Sequence, residues 1–225
     1  MKLNKLKILL TIALIFISKD GFSQANEIEI KFIGNCGLYM TDGSLHVYTD
    51  FPYKSGAFKY MKFDPSEIDK IKENAIFIFT HKHTDHYSGK NMRRVLREKQ
   101  GQKFGKWNIT ELEALGDSIP NFSVKAFKTS HKFSINHYSY LITWHDKKIF
   151  LSGDTGDTEV IGSIKEIDWA FIPYWVLRNA HDDGVKIDAK MKGLYHLYPN
   201  QKIEGETPED LFIFDNQGEI IKIKY

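Results

Sequence analysis

The sequence predicts a single α+β domain over residues 26–225. Three observations predict it. Stretches of alternating or continuous apolar residues, the marks of half-buried and fully buried strands, dominate both ends of the chain. Short capped or amphipathic stretches fall between them as helices do. No Pro- or Gly-rich linker, repeat or low-complexity tract divides the 225 residues, a length that suits one sizeable core.

The first 25 residues stand apart. Lys2, Lys5 and Lys7 precede an almost wholly apolar run, Ile8 to Ile17, and Ser23-Gln24-Ala25 places small residues where a signal peptidase reads them. The pattern predicts a signal peptide cleaved near Ala25-Asn26, and so a periplasmic or secreted protein. The run is short for a bilayer span, so no stable membrane span is expected after cleavage. Of the formal charge of +2, residues 1–25 carry +3, leaving −1 for the rest. Such a near-neutral body offers no electrostatic case for a nucleic-acid partner. The one cysteine, Cys36, excludes an intramolecular disulfide and reads as a buried, inert thiol.

The elements follow in order. Glu27 to Ile33 alternates as a half-buried strand; Gly37 to Thr41 and Leu45 to Asp50 are the next two, turned at Asp42-Gly43. Pro65-Ser66-Glu67 opens a helix over 66–74. Ala75 to Phe79 reads as a buried strand, and Asn91 to Lys99 as an exposed basic helix. Residues 101–121 carry little signal. Ser123 to Thr129, His137 to Trp144 and Lys148 to Leu151 are expected strands. A helix is expected over 157–164, a strand over 168–174, a helix over 186–192 and a short strand at Tyr195-His196. Leu211 to Asp215 and Glu219 to Lys224 flank Asn216-Gln217-Gly218, which has hairpin chemistry.

The chemistry concentrates in Thr80-His81-Lys82-His83-Thr84-Asp85-His86, directly after the expected buried strand. Imidazole and carboxylate are the usual nitrogen and oxygen ligands for zinc and suit iron or manganese too. A packed core would not tolerate four such groups unpaired. In extended chain, His81 and His83 face one side and can grip one metal. A turn after His83 would let Asp85 and His86 face a second.

This segment resembles the signature motif of the metallo-β-lactamase superfamily, whose fold is a four-layer αββα sandwich. Other segments resemble later features of that family in the expected order. Asn35-Cys36-Gly37 is similar to the turn after its first strand. Asp50 is similar to the aspartate that orients the metal loop, and Ser130-His131 to the third histidine of the first metal. Leu151-Ser152-Gly153-Asp154-Thr155 is similar to the turn supplying a bridging aspartate, and Tyr195-His196 to the last ligand. The resemblance implies two divalent ions, zinc first, with manganese or iron as alternatives. One is held by His81, His83 and His131, the other by Asp85, His86 and His196. Asp154 bridges them, and Asp85 also orients or shuttles a proton. His137 competes with His131, and His181 with His196. His131 is favoured because it directly follows a strand end; His196 because it enters an apolar strand, whereas His181 lies in a polar loop. Gly153 before Asp154 allows close backbone approach. His46 and His145 read as ordinary strand or turn residues.

The implied reaction is hydrolysis of an ester, lactone or phosphodiester in a small-molecule or lipid-like substrate by metal-activated water. The common zinc β-lactamases carry cysteine where this chain has Asp154, which argues against β-lactam hydrolysis. Phe171-Ile172-Pro173 is similar to the branch with ascorbate-6-phosphate lactonase and N-acyl-phosphatidylethanolamine phospholipase D. That branch usually continues with Ile-Gly, where this chain has Tyr174-Trp175, so an aromatic pocket wall is expected. The alternatives are a silent metal-binding or sensing module and a di-iron relative. The latter normally works with a flavin partner domain, absent here.

Overall fold

A computed structural model describes residues 26–203 and 207–225; the expected signal peptide lies outside the described residues. The chain runs β1 (Glu27–Gly34), β2 (Gly37–Thr41), β3 (His46–Thr49), α1 (Ser66–Asp69), β4 (Ile76–Ile78), α2 (Gly89–Lys99), β5 (Gln102–Phe104) and α3 (Ile109–Glu113). It continues through β6 (Phe122–His131), β7 (Ser134–Trp144), β8 (Lys147–Leu151), α4 (Glu159–Ser163), β9 (Ile167–Pro173), α5 (Tyr174–Asp182), β10 (Ala189–Tyr195), β11 (Leu211–Ile213) and β12 (Ile220–Lys224).

The strands form two six-stranded sheets, ordered β12-β1-β2-β3-β4-β5 and β11-β10-β9-β8-β7-β6. Strand alternation explains how they stack. Ile28, Ile30 and Phe32 of β1 and Ile142, Trp144 and Phe171 of the second sheet share one core between the sheets. On the outer face of the first sheet, Tyr48, Phe77 and Phe79 meet Met92 and Val95 of α2. On the outer face of the second, Phe150, Ala170 and Ile172 meet Ile161 of α4 and Val176 and Ala180 of α5. The result is the expected αββα sandwich. Among the described residues, no helix is long and apolar enough to cross a membrane.

Several local expectations are corrected. The helix expected over 66–74 stops at Asp69, and Asn74 takes φ 56° as the chain turns into β4. The helix expected over 186–192 is absent. Residues from Ala189 onward form β10, paired in parallel with β9 from Ala189↔Ile167 to Tyr195↔Pro173. The helix of this region is α5, which follows Pro173 directly and buries Val176 and Ala180, one turn apart. Asn216-Gln217-Gly218 makes no hairpin: β11 and β12 belong to different sheets, and the turn carries the chain across.

Asp42 ties two turns together. Its Oδ1 accepts the backbone N–H groups of Ser44 and Leu45, each at 2.9 Å. Its Oδ2 accepts from Trp144 Nε1 at 3.2 Å and lies 2.8 Å from His145 Nε2. Burial disfavours the charge, but the donors from Leu45, His145 and Ser44 outweigh it and hold the carboxyl well below the usual range. Its stabilising contribution is therefore complete above the unfolded value of about 3.9 and is lost as pH falls below it. The thermal midpoint of Asp42→Asn should trail the wild type at pH 6, and the gap should narrow toward pH 2. A gap independent of pH would contradict the ionised role.

Candidate metal centre

The site is built where strands end. β3 runs out at Asp50, which takes φ 46°, a left-handed conformation that a residue with a side chain adopts only when its surroundings hold it. Asp50 Oδ1 accepts the backbone N–H of Thr80 at 2.8 Å; Oδ2 accepts the Thr80 hydroxyl at 2.8 Å and lies 2.9 Å from His86 Nδ1. One buried carboxylate thus pins both ends of the 80–86 loop. Because it can only accept, the His86 proton sits on Nδ1 and Nε2 faces the site. Within the loop, the N–H groups of His86 and Tyr87 both bond to His83 O, at 3.0 and 2.8 Å. That turn separates His81 and His83 from Asp85 and His86.

The other strand ends converge on this loop. A register shift between Thr129 and His131 at the end of β6 re-aims His131. Its Nε2 lies 3.1 Å from His83 Nδ1, and donor atoms of His81, His83 and His131 all fall within 4.8 Å of one another. After β8, Gly153 takes φ 59°, and a Cβ there would sit 2.6 Å from His137 Nε2 and 2.8 Å from Thr80 Cβ. Only glycine lets the chain pass, and it delivers Asp154. After β10, His196 takes φ 60°, with its N–H bonded to Asn35 O at 2.9 Å.

Asp154 lies between two groups of donors. Its Oδ1 is 3.1 Å from His86 Nε2, and its Oδ2 is 3.1 Å from His196 Nε2 and 3.9 Å from both His81 Nε2 and His131 Nε2. Asp85 Oδ2 lies 3.2 Å from His196 Nε2 and 3.6 Å from His86 Nε2. All seven residues singled out from the sequence are therefore together.

The competitors separate cleanly. His137 is buried, but its Nε2 accepts the backbone N–H of Asp154 at 2.9 Å, so its proton sits on Nδ1, 2.7 Å from the Thr129 hydroxyl. Both ring nitrogens are engaged, and His137 holds the Asp154 backbone. Burial, with Asp154 opposing and His131 assisting, pushes its pKa down to about 3. His181 lies on the surface beside Asp182. His46 bonds Tyr39 and Thr41, and His145 bonds Asp42.

The electrostatics of the centre suit a cation. His86 Nε2 and His196 Nε2 face each other at 3.2 Å, a contact two lone pairs do not make unless a proton or cation lies between. Burial disfavours charge on both rings, but Asp154 outweighs it, with Asp50 adding to the effect at His86, and holds both well above the ordinary histidine range. Asp154 and Asp85, despite burial, are held low by these imidazoles. His81 is driven down by burial and by His86. His81 Nε2 and Asp85 Oδ1 are buried without a hydrogen-bond partner, and Asp154 Oδ1 has only its 3.1 Å contact with His86 Nε2. Orphaned donor atoms in one place fit divalent metal ions.

A cavity of about 590 Å³ adjoins the centre, lined by residues that include Tyr60, Ser130, His131, Lys132, Asp154 and Trp175. Tyr60 stands edge-on to His196 at 4.1 Å and stacks on Tyr198 at 4.3 Å. Trp175 supplies the expected aromatic wall, its Nε1 donating to Thr155 O at 3.1 Å; Tyr174 is not part of the lining. Sequence reasoning missed the structural work of His137, and also Cys36. The Cys36 sulfur is buried as expected, but within 4.8 Å of donor atoms of His86, Asp154 and His196.

No family model matches the chain, and no curated protein matches it. Solved structures do. Igni18, a metallo hydrolase from Ignicoccus hospitalis, superposes with a TM-score of 0.63 at 14% identity, covering 88% of this chain and 99% of that one. The metallo-beta-lactamase fold protein YhfI from Bacillus subtilis gives 0.59 at 15% identity over 88% and 99%. Isothiocyanate hydrolase from Delia radicum gut bacteria gives 0.57 at 11% identity over 88% and 100%.

Proposed function

Because this chain has the metallo-β-lactamase fold, we propose that it is an exported, metal-dependent hydrolase of ester, lactone or phosphodiester bonds. The observation that carries the reading is the pair of donor groups meeting at Asp154 beside an open cavity. His81, His83 and His131 would hold one divalent ion, and His86, His196 and Asp85, with Asp154, would hold a second. Zinc suits the donor set best, with manganese or iron next. The chemistry an ion held there would supply is a lowered pKa of water, so that hydroxide is available near neutral pH.

The chain's own residues do the rest. Asp50 orients His86, and His137 with Gly153 holds the Asp154 backbone. Asp85 keeps one oxygen, Oδ1, free of hydrogen bonds, where it can take up and return a proton. Tyr60 and Trp175 exclude water from one side of the cavity and suit an apolar or ring-bearing substrate. Lys132 presents an ammonium group at the same cavity, able to pair with a phosphoryl or carboxylate oxygen.

The test joins metal analysis to a panel of aryl esters, lactones and phosphodiesters. Two ions per chain and turnover on at least one class are expected. His83→Ala should weaken metal binding by about 100-fold or more, beyond the 10–100-fold typical of an outer partner, and abolish turnover. Its circular dichroism should stay native, because His83 is only half-buried. Full activity in that variant would reject the ligand assignment, and bound metals with no turnover on any class would favour a silent module.

A further inference from the structure

The two donor groups differ in kind. His81, His83 and His131 are three imidazoles, two of them half-buried and His131 lining the cavity. The other group is Cys36, His86, Asp154 and His196, a sulfur, two nitrogens and an oxygen, with exposures of 1%, 0%, 7% and 2%. Three ligands with an open place is the habit of catalytic zinc; four ligands closed off from solvent is the habit of structural zinc.

Cys36 is held at the centre by more than core packing. Asn35, at the turn between β1 and β2, takes φ 50°. Its Nδ2 donates to Asp85 O and its own carbonyl accepts from His196 N–H, each at 2.9 Å. The turn is thus bonded to the backbone of both loops that present donors, and its next residue is the cysteine. In the same place Asp154 Oδ1 lies 3.1 Å from His86 Nε2 and its Oδ2 3.1 Å from His196 Nε2, a convergence of buried donor atoms with the sulfur.

We propose that Cys36 is a thiolate ligand of the buried metal position, completing a sulfur, nitrogen, nitrogen and oxygen donor set with His86, His196 and Asp154. The proposal rests on the metal-dependent reading above. On binding, the S–H proton passes to solvent and a sulfur–metal bond forms, with no change of oxidation state. The buried position then favours a borderline-soft ion such as zinc or cobalt over manganese or magnesium. It acts as the resident site, while the three-histidine position keeps a place for water. Asp85 Oδ2, 3.2 Å from His196 Nε2, stays beside the same ion, and its Oδ1 is left for proton transfer.

Cobalt(II) titration of the metal-stripped protein decides the matter, because bound cobalt reports thiolate ligation as an intense near-ultraviolet charge-transfer band. Cys36 is the only cysteine, so any such band belongs to it. The wild type should develop the band together with the visible bands of bound cobalt. Cys36→Ser and Cys36→Ala should lose the former, keep the latter, and bind one equivalent about tenfold or more weakly. Bound cobalt without the charge-transfer band in the wild type would overturn thiolate ligation alone, whether or not the variants fold. No cobalt bound at all would overturn the metal-dependent reading and this proposal with it.

Discussion

Asp154→Asn is expected to lose both metal ions and all measurable turnover. The carboxylate lies within 4 Å of nitrogens from both donor groups, those of His86, His196, His81 and His131. An amide keeps the shape but turns one acceptor into a donor and removes the negative charge. Each ion loses a shared ligand, so affinity should fall by more than the 10–100-fold typical of an outer partner. The metal-free protein should suffer too. Asp154 holds charge on two fully buried imidazoles, and stripping one partner from a buried pair costs about 3–5 kcal/mol. Calorimetry and metal analysis on the stripped and reloaded variant check both parts. Wild-type stoichiometry in Asp154→Asn would show that the carboxylate is not shared.

Gly153→Ala, one methyl group away from any donor atom, should be nearly as damaging. At φ 59° an L side chain costs about 1–2 kcal/mol on backbone grounds alone. The added Cβ would also sit 2.6 Å from His137 Nε2 and 2.8 Å from Thr80 Cβ. Both neighbours are held: His137 by Thr129 and by the Asp154 backbone, Thr80 by Asp50. Neither can retreat without moving a donor group. Overpacking of this kind adds about 1–3 kcal/mol. The expected result is a lower thermal midpoint without metal and a smaller rise when metal is added. A midpoint and metal response equal to wild type would mean the turn has slack that its contacts do not reveal.

The parts of the fold carried by local pattern were legible in the sequence. Strict alternation marked β1, and the continuous apolar run marked β4, which feeds straight into the histidine loop. The cluster at 81–86 was legible from residue type and spacing, and His131, Asp154 and His196, implied by the resemblance alone, are the residues the fold brings beside it. Other expectations failed. Residues 186–192 alternate Lys and Asp with Ile, Ala and Met, a period of two that itself favours the strand found from Ala189 between β9 and β11 over the helix expected there. Asn216-Gln217-Gly218 carries turn chemistry, but no turn signal says whether the flanking strands share a sheet. The role of Cys36 depends on contact between a turn at residue 36 and loops at 85, 154 and 196, a proximity with no local trace. The strand end favoured His131 over His137 in the sequence, and the bond that His137 accepts from the Asp154 backbone is what shows its separate work.

The most direct measurement is anomalous diffraction at the zinc edge from crystals of the zinc-loaded protein. Two peaks are expected: one within about 2.0–2.3 Å of nitrogens from His81, His83 and His131, the other at the same range from His86, His196 and Asp154. Zinc bound elsewhere, with these side chains left bonded only to one another, would contradict the account.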